Sequence, residues 1–376
     1  MRRFHFALLA LVLLVAQPLL AKTYYVGTCK TGAYPTISAA VAAVPAGSVI
    51  DVCPGTYPEQ VVISQPLTLQ AYASGGSDQV VIAMPSAGLT TTTSLSWGTV
   101  AAQVEVTAGP VNITGITVDG TATSSVCPTV WDIGIHYNSG SSGTIDAVQT
   151  SNQNCNNFGT GIYAENETAT PLTITIENSG VTGTTQWGID TCGGLIPPST
   201  LTATIKNNYV ANVDIGINTD CYTIGTVTGN VVDAATYIGI SAVSGSGTVT
   251  GNTVTNSPQG IMLGGYVGSK ILDNTVVDAA TGIVVNQVGT VDGNHIVSSN
   301  TALYFGASGA TVEDNLIMQT QAGAVFECYS ATMSGNTFNG ALTGFEVYAG
   351  TSTGTNKFYN VAAVTTGGCT ASAARP

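Results

Sequence analysis

Val249-Thr250-Gly251-Asn252-Thr253-Val254, followed six residues on by Gly260-Ile261, is one copy of the pattern that decides the fold. The Gly-Ile pair recurs as Gly134-Ile135, Gly161-Ile162, Gly188-Ile189, Gly216-Ile217, Gly239-Ile240 and Gly282-Ile283. The slot continues as Ala302-Leu303, Gly323-Ala324 and Gly344-Phe345. Successive copies are 27, 27, 28, 23, 21, 22, 20, 21 and 21 residues apart. A nearly fixed period of this size marks a solenoid. The length of 376 residues would otherwise allow two or three domains. The repeat predicts one elongated domain over 22–376, with regular coils over 115–348 and a tail over 351–376.

Working outward from the pair, an Asn recurs in each coil: Asn208, Asn230, Asn252, Asn274, Asn294, Asn315 and Asn336. The residue before it is Asn207, Gly229, Gly251, Asp273, Gly293, Asp314 or Gly335. Gly, Asn and Asp tolerate left-handed backbone, so a tight turn is expected there. The Asn side chains then stack as an amide ladder that satisfies turn backbone. Composition agrees with β-structure. The chain has 45 Gly, 44% apolar residues and only 8% charged residues. That apolar fraction is ample for a core, so the low charge does not signal disorder.

The N-terminus reads as a secretion signal over 1–21. Arg2 and Arg3 form the basic start, 7–16 the apolar core and Leu19-Leu20-Ala21 the cleavage site. An extracellular, periplasmic or cell-surface location follows as an expectation. Eight cysteines in an exported chain predict disulfides. The coil spacing pairs Cys192 with Cys221, Cys127 with Cys155 and Cys29 with Cys53, leaving Cys328 with Cys369 by elimination. Residues 36–44 form a helical stretch with Ile37, Ala40, Val41 and Val44 on one face. Such a helix would cap the open end of the solenoid. Short strands are expected at 49–52, 61–63, 67–70 and 80–82.

Thr36-Ile37, Ala40-Val41, Pro45 and Gly55-Thr56-Tyr57-Pro58-Glu59 resemble the opening of pectin methylesterases and related proteins. The repeats resemble the generic right-handed parallel β-helix repeat of the pectin-lyase-like superfamily. The resemblance implies an all-β, right-handed parallel β-helix with a short N-terminal cap. That fold hosts lyases, hydrolases, esterases, epimerases and non-catalytic proteins, so activity must be argued from the site. The later catalytic segments of the esterases are absent, and Arg375 is the only arginine beyond the signal. Asn218-Thr219-Asp220 matches the first polygalacturonase motif, while the Asp-Asp, Gly-His-Gly and Arg-Ile-Lys motifs are missing.

Strand alternation points each Ile inward, and the following residue outward. The outward slot divides the chain in two. Early coils carry His136, Tyr163, Asp190, Asn218 and Ser241; late coils carry Met262, Val284, Tyr304, Val325 and Glu346. The early coils are also longer, with extra residues at 165–171 and 193–199. Candidate catalytic residues are therefore Glu165, Asp190, Asp220 and His136, with Trp131, Tyr163, Trp187 and Asn218 contacting substrate. Glu165 and Asp190 lie one coil apart, at a separation suited to a pair of acid and base carboxylates. Indole rings beside carboxylates suit sugars, which offer apolar faces and hydroxyl rims. The apolar late slots predict an exposed stripe, covered either by the tail or by another chain through Met262, Val284, Tyr304 and Val325.

Charge narrows the partner. Net charge is −13, or −15 once the two signal arginines are removed. Nucleic acid, anionic membrane and polyanions such as pectate are disfavoured, and a neutral polysaccharide fits better. No cofactor or metal motif is visible; calcium has acidic residues available but no ordered ligand loop. The sequence thus predicts a secreted protein that binds an extracellular polysaccharide and, in a catalytic version, cleaves it as a hydrolase or lyase. In that version Glu165 and Asp190 share the acid and base roles, with His136 or Asp220 assisting. The rival is a non-catalytic surface or adhesive solenoid.

Overall fold

In the computed structural model, residues 21–72, 79–123, 125–194, 201–242, 246–264, 268–326, 329–347, 352–353 and 355–366 are described. Residues 1–20 of the expected signal segment 1–21, part of the 193–199 loop, Cys328 and Cys369 lie outside these residues. Each coil contributes three short strands, as in Ser246–Thr250, Thr253–Thr255 and Gln259–Leu263. Stacked coils build three parallel sheets of 14, 13 and 14 strands, each strand paired with its equivalents in the coils before and after. The third sheet carries the Gly-Ile pairs, in register from Ile135 to Ile162, Ile189, Ile217, Ile240, Ile261 and Ile283.

Those isoleucines line one continuous apolar core with Val and Ile from the other two sheets. The glycine before each of them is demanded by sterics at the bend where the second sheet turns into the third. A Cβ on Gly216 would lie 2.4 Å from the Gly239 carbonyl oxygen and 2.4 Å from a Val232 methyl. Gly188, Gly239, Gly260 and Gly282 meet the same two obstacles. The Asn ladder forms as expected. Asn252 Oδ1 accepts from Asn230 N and Nδ2 at 2.9 Å, and Asn252 Nδ2 donates to Asn274 Oδ1 at 2.9 Å. The preceding residues take positive φ, from Asn207 at 56° to Gly335 at 72°. From Asn208 to Asn336 the ladder amides are buried, so each of these turns is satisfied by its neighbour rather than by water.

The helix spans Ile37–Ala43, with Thr36 as N-cap and Ile37, Ala40 and Val41 buried. Glu59 completes the cap, accepting from Ile37 N at 2.8 Å and Ser38 N at 2.9 Å. Disulfides join Cys29–Cys53, Cys127–Cys155 and Cys192–Cys221, as the coil spacing predicts. The expected Cys328–Cys369 pair falls on residues outside those described.

Three expectations need correction. The coils are not confined to 115–348. On the third sheet they begin with Val61–Ile63 and Gly98–Val106, and they run on through Ala363–Thr366. Much of the expected tail is therefore one more coil, and Asn356 extends the ladder by accepting from Asn336 Nδ2 at 2.9 Å. Second, the late apolar column is not an open stripe. Val284 and Val325 are buried, and Met262 and Tyr304 are half-buried. Neighbouring coils only one strand spacing apart shield each other's side chains. Third, the early outward column is covered by a hairpin that bonds to Glu165.

Candidate active site and glycan face

The cover comes from a segment without the repeat marker. Thr92–Ser94 pairs antiparallel with the start of Gly98–Val106, and the latter then joins the third sheet next to Trp131–Tyr137. Gln60 anchors the excursion, bonding Thr90 N, Thr90 O and Ala102 O. The hairpin tip, 94–97, lies over the outer face of the early coils. Val100, Ala102, Ile133, Tyr163 and the Cys192–Cys221 bridge form a second apolar cluster there, outside the solenoid core, with Trp97 and Trp131 against it.

The early slots do point away from the coil axis, as alternation requires, but they do not face water. His136, Tyr163, Glu165, Asp190 and Asn218 are each 3% exposed or less. Alternation gives direction relative to the coil and carries no information about what another segment lays on top.

Under the hairpin lies a charged network. His136 Nδ1 is 2.9 Å from Glu105 Oε2, and His136 Nε2 is 3.5 Å from Glu165 Oε1. Glu165 also accepts from Ser94 Oγ at 2.7 Å, Ser96 N at 3.0 Å, Leu95 N at 3.1 Å and Tyr163 Oη at 3.1 Å. Burial alone would lower the His136 pKa, but hydrogen bonds and charge from Glu105 and Glu165 lift it to about 9. Burial alone would raise Glu165, yet His136, Ser94 and the Ser96 amide hold it at about 2. This is an imidazolium clamped between two carboxylates, and the hairpin is tied to it.

Asp190 is in a different state. Burial, then the charge of Asp220, push it up to about 8 against a 2.9 Å hydrogen bond from Asn218. Its Oδ2 has no hydrogen-bond partner. Asp220 is partly exposed, accepting from Cys221 N at 2.7 Å. Asp132 is buried and raised to about 6 by desolvation, with Cys155 N at 3.5 Å on one oxygen. The protein thus places Glu165 and Asp190 in the register expected, Asp190 opposite Tyr163 and Cys192 opposite Glu165. Of the two, Glu165 has its oxygens committed, and Asp190 has the free oxygen.

Next to these acids the aromatic residues gather. Trp131 stacks on Phe158 at 5.2 Å, on Trp97 at 5.2 Å and on Trp187 at 4.9 Å between ring centroids. Phe158 is 47% exposed and Leu95 58%, while Trp97 and Trp131 are half-buried. Trp187 is nearly sealed, so it supports the platform from below. Trp97, Phe158 and Glu105 were not among the residues singled out from the sequence. The available signal was Val104-Glu105-Val106, which repeats the alternation of Ile135-His136-Tyr137 but with Gln103 in the glycine slot.

A groove of about 360 Å³ lies elsewhere, at the N-terminal cap, lined by Gly27, Pro35, Pro54, Tyr57 and Glu59 among others. Its one carboxylate, Glu59, is already used to cap the helix.

A family model described as periplasmic copper-binding protein (NosD) matches residues 147–318 and 226–362, more than half of the chain. Comparison with curated proteins finds no match. Among solved structures, the catalytic unit of a thermostable GH87 α-1,3-glucanase from Streptomyces thermodiastaticus aligns with TM-score 0.63 and 18% identity, covering 94% of this chain and 69% of that one. A periplasmic alginate epimerase, AlgG, in mutant form, aligns with TM-score 0.60 and 13% identity over 88% of this chain and 84% of its own. An exopolygalacturonase from Thermotoga maritima aligns with TM-score 0.57 and 13% identity, over 78% and 84%. At these identities the likeness shows the shared parallel β-helix.

The residues present do not fit a copper centre. Copper sites draw on imidazole, thiolate or thioether groups converging on one point. Among the described residues no three His, Cys, Asp or Glu side chains gather in a geometry that could hold a metal. Both nitrogens of His136 face carboxylates, His295 sits on the second sheet, and the six described cysteines are in disulfides.

Proposed function

Given that the chain belongs to the family of the periplasmic copper-binding protein NosD, a right-handed parallel β-helix family, we propose that it is an envelope or secreted protein that binds a polysaccharide. The binding face is the partly exposed ring platform beside the hairpin that covers the early third-sheet coils. The observation that carries this reading is the partly exposed ring platform of Trp97, Trp131 and Phe158, backed by Trp187. Stacked rings at a surface offer flat apolar area to the faces of sugar rings, and the nearby acids accept from hydroxyls. Solved β-helices of similar fold, named as a glucanase, an epimerase and a polygalacturonase, support a glycan as ligand. Three disulfides and the family's periplasmic description support a location outside the cytoplasm.

Cleavage is a second reading, favoured by one feature. Burial and the charge of Asp220 raise Asp190 to about 8, so a neutral carboxyl lies one strand from the partly exposed Asp220, an arrangement that suits acid and base roles. In this version Asp190 is the acid and Asp220 the base. Glu165 and His136 act instead by holding the hairpin over the site. The test is a panel of purified glycans, scored for binding and for new reducing or unsaturated ends. Binding without products, unchanged in products by Asp190→Asn, leaves the binding reading and removes the catalytic one. No binding to any glycan removes both.

A further inference from the structure

We propose that the hairpin tip is a lid, and that beneath it lies a subsite for one neutral sugar unit of the polysaccharide held by the ring platform. The proposal rests on the polysaccharide-binding reading and adds a second contact region to it. Its basis is four polar atoms without a hydrogen-bond partner: Asp190 Oδ2, Thr160 Oγ1, Trp187 Nε1 and Trp97 Nε1. Asp190, Thr160 and Trp187 are buried, and buried polar groups are normally paired. Thr160 stands in register between Ile133 and Trp187 on the third sheet. Ile133 belongs to the apolar cluster outside the solenoid core, so this column faces the layer between coils and hairpin. Asp190 is the partner of Tyr163, a member of the same cluster, one coil later. Trp97 reaches the layer from the hairpin side, its ring 5.4 Å from that of Trp187.

These groups suit an uncharged sugar. Two indole N–H groups donate, the Thr160 hydroxyl donates and accepts, and Asp190 is a neutral carboxyl below about pH 8. Sugar hydroxyls both donate and accept, so one unit can satisfy such a mixed set. The cover is also held in a way that lets it lift. Its base is fixed by the pairing of Thr92–Ser94 with 98–100 and by Gln60. Its tip is tied to the coils by polar bonds, from Ser94 Oγ, Leu95 N and Ser96 N to Glu165 and from Ser96 Oγ to Glu167 at 3.0 Å. Leu95 is exposed, and the Trp97 ring is the tip's apolar contact with the coils. A segment with a fixed base and few buried apolar contacts opens at less cost than the whole fold. When the tip lifts, Trp97 moves with it, while Trp131 and Phe158 keep the outer contact with the chain.

The experiment follows amide hydrogen exchange at Leu95 and Ser96 with and without saturating oligomers, and pairs it with calorimetry on Thr160→Val. The probes are neutral glucan oligomers and N-acetylated chitin oligomers. Ordinary binding slows exchange, whereas a lifted lid frees both amides from Glu165, so their exchange should rise about tenfold or more in the complex. Thr160→Val removes an unpaired buried hydroxyl, so it should keep or raise the melting temperature. It should nevertheless weaken oligomer binding about fivefold or more, because the sugar loses that partner. Unchanged or slower exchange at Leu95 and Ser96 in an oligomer complex, or full-strength binding by Thr160→Val, overturns the lid and its subsite and leaves binding at the ring platform standing. If neither class of oligomer binds, the polysaccharide reading falls and the subsite falls with it.

Discussion

Ser94 Oγ donates to Glu165 Oε2 at 2.7 Å, joining the hairpin tip to a coil 71 residues later in the chain. The bond converts an outward strand position into a buried one. It also makes the hairpin depend on a charge. Glu165 receives the Leu95 and Ser96 amides and faces protonated His136, so neutralising it weakens several contacts together.

Glu165→Gln is therefore expected to destabilise the fold by about 3–5 kcal/mol, the range for removing one partner of a buried ion pair. Thermal denaturation measures the loss, and limited proteolysis should show new cleavage around 90–98. Resistance of that segment at wild-type level would mean that the apolar cluster, not the ion pair, holds the hairpin.

The pH dependence has a definite sign. His136, raised from 6.5 to about 9, contributes stability that is complete below pH 6.5 and lost as pH rises through about 9. Glu165, lowered from 4.5 to about 2, contributes stability that is present above pH 4.5 and lost as pH falls through about 2. Asp190, raised from 3.8 to about 8, binds its proton more tightly when folded and so costs stability progressively from pH 3.8 up to about 8. Melting temperature should fall between pH 7 and 10, and Asp190→Asn should flatten the part below pH 8. A flat profile from 7 to 10 in the wild type would contradict this electrostatic description.

The Asn ladder predicts a local effect with a known address. Asn252→Ala leaves Asn230 N and Nδ2 without their acceptor and removes the donor to Asn274 Oδ1. A cost of about 2–4 kcal/mol is expected from these buried unmade bonds. Hydrogen exchange should show loss of protection at Asn230 and its neighbouring coil first. Uniform loss along the whole chain would indicate that the coils do not open separately.

What could be read from the residues follows from what the repeat encodes. The Gly-Ile pair marks a place where Cβ has no room, as at Gly216, so every coil that shares the bend advertises itself. The turn Asn and its left-handed predecessor are similarly local, and cysteines one coil apart pair by spacing alone. Gly98–Val106 was not legible because Gln103 replaces the glycine; Gln103 is buried and donates to the Ile82 and Asp119 carbonyls instead. Without that coil Glu105 is not singled out either, and His136 and Glu165 read as open, outward-facing candidates. Covering by the hairpin is a contact between residues about 70 positions apart, and no period reports it.

The Cys192–Cys221 bridge packs with Tyr163 beneath the hairpin, next to Asp190 and Asp220 in sequence. Replacing both cysteines with serine is expected to cost about 2–4 kcal/mol. It should also weaken glycan binding, because Trp97 and Trp131 pack on the same cluster. Unchanged affinity in a destabilised double variant would separate the platform from the bridge.

The central claim is that the ring platform binds a polysaccharide. Titration of the purified protein with the glycan panel, repeated for Trp131→Ala and Phe158→Ala, tests it most directly. Trp131 stacks on three rings, so its removal should weaken binding about tenfold or more, and Phe158→Ala by less, with the far-ultraviolet spectrum unchanged. Binding that survives both substitutions at full strength, or no binding to any member of the panel, would contradict the account.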